Sequence, residues 1–413
     1  MVVYSGVFQY ERVFNKMRMD SAFDPFILVI PDVSRGDENM FATLKLTYDT
    51  LRKTYGEFVL NSWDGERFVD YSDKADVFSS MNPYPLMTHE YYRISRLARS
   101  GKLCFYSNYG GRDINVHANV HDKLIELSYL WRYYVASLRD VEHIGICQPL
   151  LKRHKRIVAS GMSKLDAMSE IPIVPRQRKR ILLCPHHTVR KLPDFLSIGN
   201  FVEYASLCLS LPKRYSQLEW VFRPHPLLMW SMVNFGFWSE SQREAYIKQI
   251  TSYKNVVYQD SGDYYDAFVN SDAMIQDCSS FIEEYLDTGH PQCYVLRSRE
   301  HELAQFTSLG EELLSHTYKA YSEQDIIDFI ENVVIAGKDP MKDEREKFAK
   351  EKLMFNYPHA SEAIVADIKK ALSSPDEKLT LSQLNVLWCS STRSRESEAF
   401  PGGGRRRPWR ESR

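Results

Sequence analysis

Three short stretches carry side chains suited to holding or transferring phosphate. Arg223-Pro224-His225-Pro226 sets a guanidinium, whose planar fork matches phosphate oxygens, close to an imidazole. The flanking prolines restrict the backbone on both sides of His225, and its ring can donate to a phosphoryl oxygen or transfer a proton near neutrality. Asp277-Cys278-Ser279-Ser280 offers two hydroxyls just before an amphipathic run. Serines at a helix start, backed by N–H groups without intrahelical partners, suit an anion. Pro185-His186-His187-Thr188 adds donors from a third turn. Each stretch alone reads equally well as a structural turn or a helix cap. Their recurrence at successive strand ends points to a phosphate site.

The elements that must position these turns follow from the apolar pattern. Ala273–Ile275 reads as a buried strand and Cys293–Leu296 as another. Between them Ser280 and Glu283 have capping-box spacing, and Phe281, Ile282, Tyr285 and Leu286 would share one helix face. Strand, polar turn, helix and strand make a parallel-sheet unit, with the turn at the carboxyl end of its strand, where open α/β sheets bind ligands. The same alternation runs from Ile181. A strand ends at Pro185, Glu219–Phe222 ends at Arg223, and a strand at 255–259 follows a helix around 240–252.

An earlier series has strand-like runs at Val2–Tyr4, Phe26–Ile30, Phe58–Leu60, Val77–Phe78 and Leu103–Tyr106, separated by helical stretches such as Met40–Tyr55 and His89–Arg99. Strands spaced by helices predict a second parallel sheet. Asp32, Asn82-Pro83-Tyr84 and Asn108-Tyr109-Gly110-Gly111 would lie on its ligand-binding edge. The aromatic stretch 121–141 has helical spacing. His117 and His121 lack the glutamate or second ligand pair of a metal motif, so no metal site is expected.

Residues 1–150 therefore read as an N-terminal Rossmann-like domain and 151–372 as a second α/β domain. The basic runs at 152–156 and 176–180 and the prolines Pro172 and Pro175 mark the connection. Residues 373–413 read as a disordered tail. Its Arg405, Arg406, Arg407, Arg410 and Trp409 could meet anionic lipid or polymer, or form a non-native extension.

A net charge of −1 predicts no general affinity for nucleic acid. The seven cysteines show no zinc-ligand spacing and no disulfide framework, which suits a reducing cytoplasm. The chain starts in a strand-like run rather than a secretory signal. No apolar segment reaches membrane-spanning length, so any membrane work would be peripheral.

RPHP followed by a strand-DxSS-helix unit resembles the CDP-glycerol glycerophosphotransferase family of teichoic-acid polymerases, which is similar to capsule transferases that use CMP-linked sugars. Gly161-Met162-Ser163-Lys164-Leu165-Asp166 looks like that family's G-x-P-K-x-D turn, with Ser163 in place of proline. Pro185-His186-His187-Thr188 is similar to its proline turn after the linker. FDPFILVIP and DVFSSMNPYP look like its short N-terminal domain.

The resemblance implies a GT-B-like fold, two Rossmann-type domains facing a cleft, and metal-independent transfer without a cofactor. In that reading Arg223, His225, Ser279 and Ser280 hold the donor pyrophosphate, Asp277 and Glu284 orient neighbouring groups or the ribose, and His186, His187, Thr188, Lys164 and Asp166 complete the donor side. Asn108 and Gly110 belong to the acceptor side. There the family's histidine base in a W-H-G-like turn has no counterpart, leaving Asp113 and His117 as candidates or a different acceptor.

The implied reaction moves a glycerophosphate, polyol-phosphate or sugar group from a CDP- or CMP-activated donor to a hydroxyl of a polymer or lipid-linked acceptor. It would take place at the inner face of the cell membrane. The alternatives are a sugar-nucleotide epimerase or hydrolase of the same fold, and an inactive nucleotide-binding scaffold.

Overall fold

A computed structural model describes residues 1–374 except 5–7, 35, 109, 111–112, 116–119, 191–195 and 261–263. Met1–Val365 forms one compact unit and Ala366–Arg413 a second. The second holds the end of the helix Ala360–Ser373, and the tail from 375 onward lies outside the described residues, as do Tyr109, Gly111 and His117.

Among the described residues, thirteen short strands build the first unit. β1 (Val2–Val3), β2 (Ile27–Val29) and β3 (Val59–Asn61) form one parallel sheet in the order β1-β2-β3. β4 (Val77–Ser80), β5 (Leu103–Ser107), β6 (Arg132–Val135) and β7 (Ile157–Ala159) form a second, also parallel. β1 lies beside β4, with the Val2 N–H 3.3 Å from Ser79 Oγ, so the two run on as a surface ordered β3-β2-β1-β4-β5-β6-β7. β8 (Arg180–Cys184), β9 (Glu219–Phe222), β10 (Val256–Tyr258), β11 (Ala273–Gln276), β12 (Gln292–Val295) and β13 (Tyr318–Ala320) make a six-stranded sheet ordered β10-β9-β8-β11-β12-β13. All its pairings are parallel.

Both surfaces start at a central strand, wind outward to one side, then return and wind to the other. That reversal falls between β1 and β4 and again between β8 and β11, and it opens a crevice at the carboxyl ends of the strands. The inner strands of the six-stranded sheet are buried on both faces. Ile181, Leu183, Trp220, Phe222 and Ile275 enter one core, whereas Leu182, Cys184, Val221 and Met274 enter another. This period-two split is what a parallel sheet covered by helices on both sides requires.

Two expectations are corrected. The stretch 121–141 is not one helix: Arg132–Val135 is β6, paired with β5 and β7 and buried at every residue. Tyrosine and valine at helical spacing fit a pleated, doubly covered strand as well as a helix, and the helix begins only at Leu138, where Ser137 caps the Asp140 N–H. Ile157–Ala159, within the stretch from 151 that reads as the start of the second domain, is β7 of the first series. The cysteines among the described residues are free. No helix of the described residues is long and apolar enough to cross a membrane.

Candidate functional site

The turns after β8, β9 and β11 meet at the switch point of the second sheet. β8 and β11 are neighbours there, and the chain leaving β9 stays alongside β8. The Arg223 N–H donates to Leu183 O at 2.8 Å and the His225 N–H to Pro185 O at 2.9 Å. Three imidazoles therefore gather. His187 and His225 stack with centroids 4.0 Å apart and planes 14° apart, and His186 lies edge-on to both, at 4.4 Å and 5.0 Å. One ring nitrogen of each lies within 4.8 Å of the others, so the trio is a candidate metal group among the described residues.

The hydrogen bonds argue for an anion instead. His225 Nδ1 accepts the Leu227 N–H at 3.1 Å, which puts the proton of the neutral ring on Nε2. Thr188 Oγ1 accepts the Gly199 N–H at 3.2 Å and lies 2.9 Å from His186 Nδ1. Its own proton thus points to that nitrogen, and His186 also carries its proton on Nε2. Rings in this tautomer present N–H donors outward. Two stacked rings also have parallel in-plane lone pairs, which do not converge on one ion.

The helix Ser279–Leu286 starts at the same place. Its N-cap is Cys278, with no side-chain cap, which corrects the capping box expected at Ser280 and Glu283. Ser280 lies inside the first turn, with its Oγ 3.4 Å from Cys278 Sγ, and Glu283 is buried one turn further on. The first-turn N–H groups of an uncapped helix are donors in need of an acceptor, and they carry the positive end of the helix dipole.

Asp277 fastens the arrangement. It is buried, and its carboxylate accepts the His186 N–H at 2.6 Å and the Asn200 N–H at 2.5 Å. Burial pushes its pKa up to about 7 against these donors, which pull it down. Both oxygens are spent on the backbone of the loops, so Asp277 positions His186 rather than meeting a ligand. Thr188 likewise spends its hydroxyl on His186 and Gly199.

Behind the turns a polar chain links the remaining residues. Arg223 donates to Gln259 Oε1 at 3.1 Å and sits 5.7 Å from the centre of the Tyr264 ring. The Tyr264 hydroxyl donates to Glu284 Oε2 at 2.5 Å, and Lys164 Nζ to Glu284 Oε1 at 2.5 Å. Burial, then Glu284, raises the Tyr264 pKa well above its ordinary value. A cleft of ≈ 370 Å³ opens on the outer side of His225, lined among others by Met229, Arg243, Lys248, Tyr258 and Asp260.

One residue expected on the donor side stands elsewhere, and the acceptor-side pair lies at the edge of the first series as expected. Asp166 accepts the N–H groups of Ala360, at 3.2 Å, and Ser361, at 2.6 Å. It caps that helix start and does not join the histidines. Asn108 ends β5 in the first series, where its Nδ2 donates to Gly110 O at 2.6 Å, so both residues shape the edge of the other sheet. His121 is a buried histidine, 3.0 Å from Asp122 Oδ1 and 3.2 Å from the Tyr106 hydroxyl.

Several positioning residues escaped the sequence reading. Asn200 Nδ2 ties Ile198 O and Val295 O. Gln276 Oε1 accepts the Cys278 N–H, and Gln276 Nε2 donates to Gln292 Oε1. A Cβ on Gly199 would lie 2.9 Å from His186 O and 3.1 Å from Thr188 O, so only glycine lets that loop pass behind the histidines. The Gly199-Asn200 pair before a helix is a turn signal, and it could have marked this loop.

No protein-family model matches this sequence, and no curated protein does. Solved structures share the fold. A UDP-N-acetylglucosamine 2-epimerase superposes with a TM-score of 0.57 at 13% identity, covering 89% of this chain and 94% of the other. The Neisseria meningitidis UDP-GlcNAc 2-epimerase bound to UDP-GlcNAc gives 0.54 at 14%, covering 88% and 96%. The wall teichoic acid polymerase TagF gives 0.54 at 14%, covering 90% and 89%. The architecture is thus the GT-B-like α/β fold expected from the sequence.

Proposed function

We propose that this protein is a metal-independent transferase. It moves a glycerophosphate, or a related polyol-phosphate or sugar group, from a CDP- or CMP-activated donor to a hydroxyl of a cell-surface polymer acceptor. The observation that carries this reading is the convergence of His186, His187 and His225 with the uncapped start of the Ser279–Leu286 helix at one switch point. Fixed N–H donors and a helix dipole are what a departing phosphate needs when no cation neutralises it. Arg223, next to the same turn, adds permanent positive charge. TagF, a polymerase of similar fold, supports the reaction class.

The donor diphosphate would span His225 and the Ser279–Ser280 amides, with Lys164 and Glu284 behind it. The acceptor would approach from the first series of strands. Its carboxyl edge carries the amides Asn82 and Asn108, with the buried His121 against Tyr84 and Tyr106.

A second reading, a sugar-nucleotide epimerase, draws on the 2-epimerases among the structural neighbours. Incubation with CDP-glycerol, CDP-ribitol and CMP-sugars separates the two. Release of CMP only when a polymer acceptor is present supports transfer. An epimerised nucleotide product overturns it, and saturable binding without turnover points to a scaffold. The Ser279→Ala/Ser280→Ala double variant should retain its fold and lose turnover by about 10–100-fold, the worth of one or two hydrogen bonds to charge. Wild-type rates in it would remove the two hydroxyls from the site and leave the backbone amides as the helix start's contribution.

A further inference from the structure

A carboxyl at the junction of the two strand series has no structural role that the fold explains. Asp113 is 1% exposed, and neither of its carboxylate oxygens has a hydrogen-bond partner. Two other buried carboxylates of the unit, Asp277 and Asp166, each accept two backbone N–H groups. A buried, unpartnered carboxyl costs about 1–3 kcal/mol or more and calls for an explanation.

The backbone around Asp113 is held tightly. Its C=O accepts the Thr307 N–H at 2.8 Å, Asn115 Nδ2 donates to Phe306 O at 3.0 Å, and Ile114 bridges Phe306. A Cβ on Gly310 would lie 2.1 Å from Asp113 O, so the glycine lets the segment press in. The side chain, by contrast, faces charge of its own sign. Asp113 bears electrostatically on Glu283, of the Ser279–Leu286 helix, and on Tyr294, of β12. Asp140, at the start of the helix Leu138–Cys147, and Glu284 also bear on Glu283, with Lys164 the cation beside them. Tyr294 in turn donates its hydroxyl to Asp277 O at 3.1 Å. Asp113 therefore sits over the helix whose start forms the phosphate site.

We propose that Asp113 is the general base of the transfer, receiving the proton of a neutral polyol or saccharide hydroxyl, with the Glu283 carboxyl nearby. This rests on the transferase reading. Surroundings with four carboxyls and Lys164 as the neighbouring cation disfavour a phosphate terminus and suit a hydroxyl donor, so the acceptor ends here in a free hydroxyl. The acceptor oxygen bonds to the phosphorus, or the anomeric carbon, of the donor group. The bond from that atom to the oxygen of the nucleotide's phosphate breaks with its electron pair on the nucleoside monophosphate, and the hydroxyl proton passes to Asp113. Burial sets the Asp113 carboxyl up to about 7 and that of Glu283 to about 8, with Asp140 and Asp113 adding to the rise. A base of this strength suits proton removal at neutral pH.

The test uses acceptor-dependent CMP release by the full-length chain, across pH, beside CMP affinity. Asp113→Asn should lower turnover by about 10²–10⁴-fold with CMP affinity unchanged. Glu283, held up to about 8, is neutral while Asp113 titrates, so Glu283→Gln should leave the acid-side limb of the rate profile in place, whereas Asp113→Asn should abolish that limb, a change that a merely structural role would not produce. Turnover in Asp113→Asn within about tenfold of wild type, or an acid-side limb that persists in Asp113→Asn, overturns the base while leaving the transferase intact. Wild-type protein that releases no CMP with any acceptor overturns the transferase and the base together.

Discussion

The two strand series wind in the same order yet present opposite chemistry at their crevices. At the second crevice the polar groups are knitted together: Asp277, Thr188, Asn200 and Gln276 spend their hydrogen bonds on backbone and on the His186 and Gln292 side chains, and the imidazoles and the helix start stand at the crevice. Where the first series meets this body, Asp113 is buried among carboxyls with its oxygens unmatched. A satisfied network rigidifies, and an unsatisfied one stores free energy that a ligand can release. The contrast matches a division of labour, with fixed anion binding on one side and proton chemistry on the other.

The contrast can be broken experimentally. The largest effect is expected at His225. His225→Ala should reduce turnover by about 10²–10³-fold, the worth of one preorganised donor to a charged transition state, with little change in melting temperature. Normal rates would shift the anion site away from the histidines.

Next comes one substitution with opposite consequences at two carboxyls. Asp277→Asn sets an amide N–H₂ against one of two backbone donors and should destabilise the fold by about 1–3 kcal/mol. Asp113→Asn removes a charge that has no partner and should stabilise it at pH 8. Denaturant unfolding of both variants checks this, and shifts of the same sign would erase the distinction.

The pH dependence of stability sharpens the same point. Burial raises Asp113 and Asp277 to about 7 and Glu283 to about 8 in the folded chain. In the unfolded chain such groups ionise near 4. Between those values the folded state binds more protons, so stability falls as pH rises from about 4 towards about 8. The limiting slope is roughly 1.4 kcal/mol per pH unit for each group. A melting temperature that climbs across this window would contradict the burial of these carboxyls. The smallest effect is expected in the outer cleft. Arg243→Ala with Lys248→Ala should change turnover less than about tenfold and weaken its salt dependence, because exposed cations act through a screened field.

Much of this architecture was readable from residues. Strands such as Ile181–Cys184 and Ala273–Gln276 are short apolar runs ending abruptly in polar turns, and the turns at Arg223, His186 and Ser279 share one crevice as their types suggested. Local pattern failed where the deciding contact was distant. Arg132–Val135 became a strand because β5 and β7 bury it from both sides. The helix start settled on Cys278 because Gln276, fixed by Gln292, already holds the Cys278 N–H. Asp166 matched a motif, but its partner is a helix start at Ala360, far along the chain. The pairing of Asp277 with Asn200 joins residues 77 apart in sequence, a separation at which no spacing rule operates.

The Asp277 clasp has a thermodynamic corollary. By tying the loop after β8, the Gly199-Asn200 turn and the entrance to the Ser279 helix to a single side chain, it removes most of the freedom a ligand would otherwise have to freeze. Nucleotide binding to this half should therefore cost little configurational entropy and leave its backbone unchanged. Whatever motion the catalytic cycle needs then falls to the acceptor side.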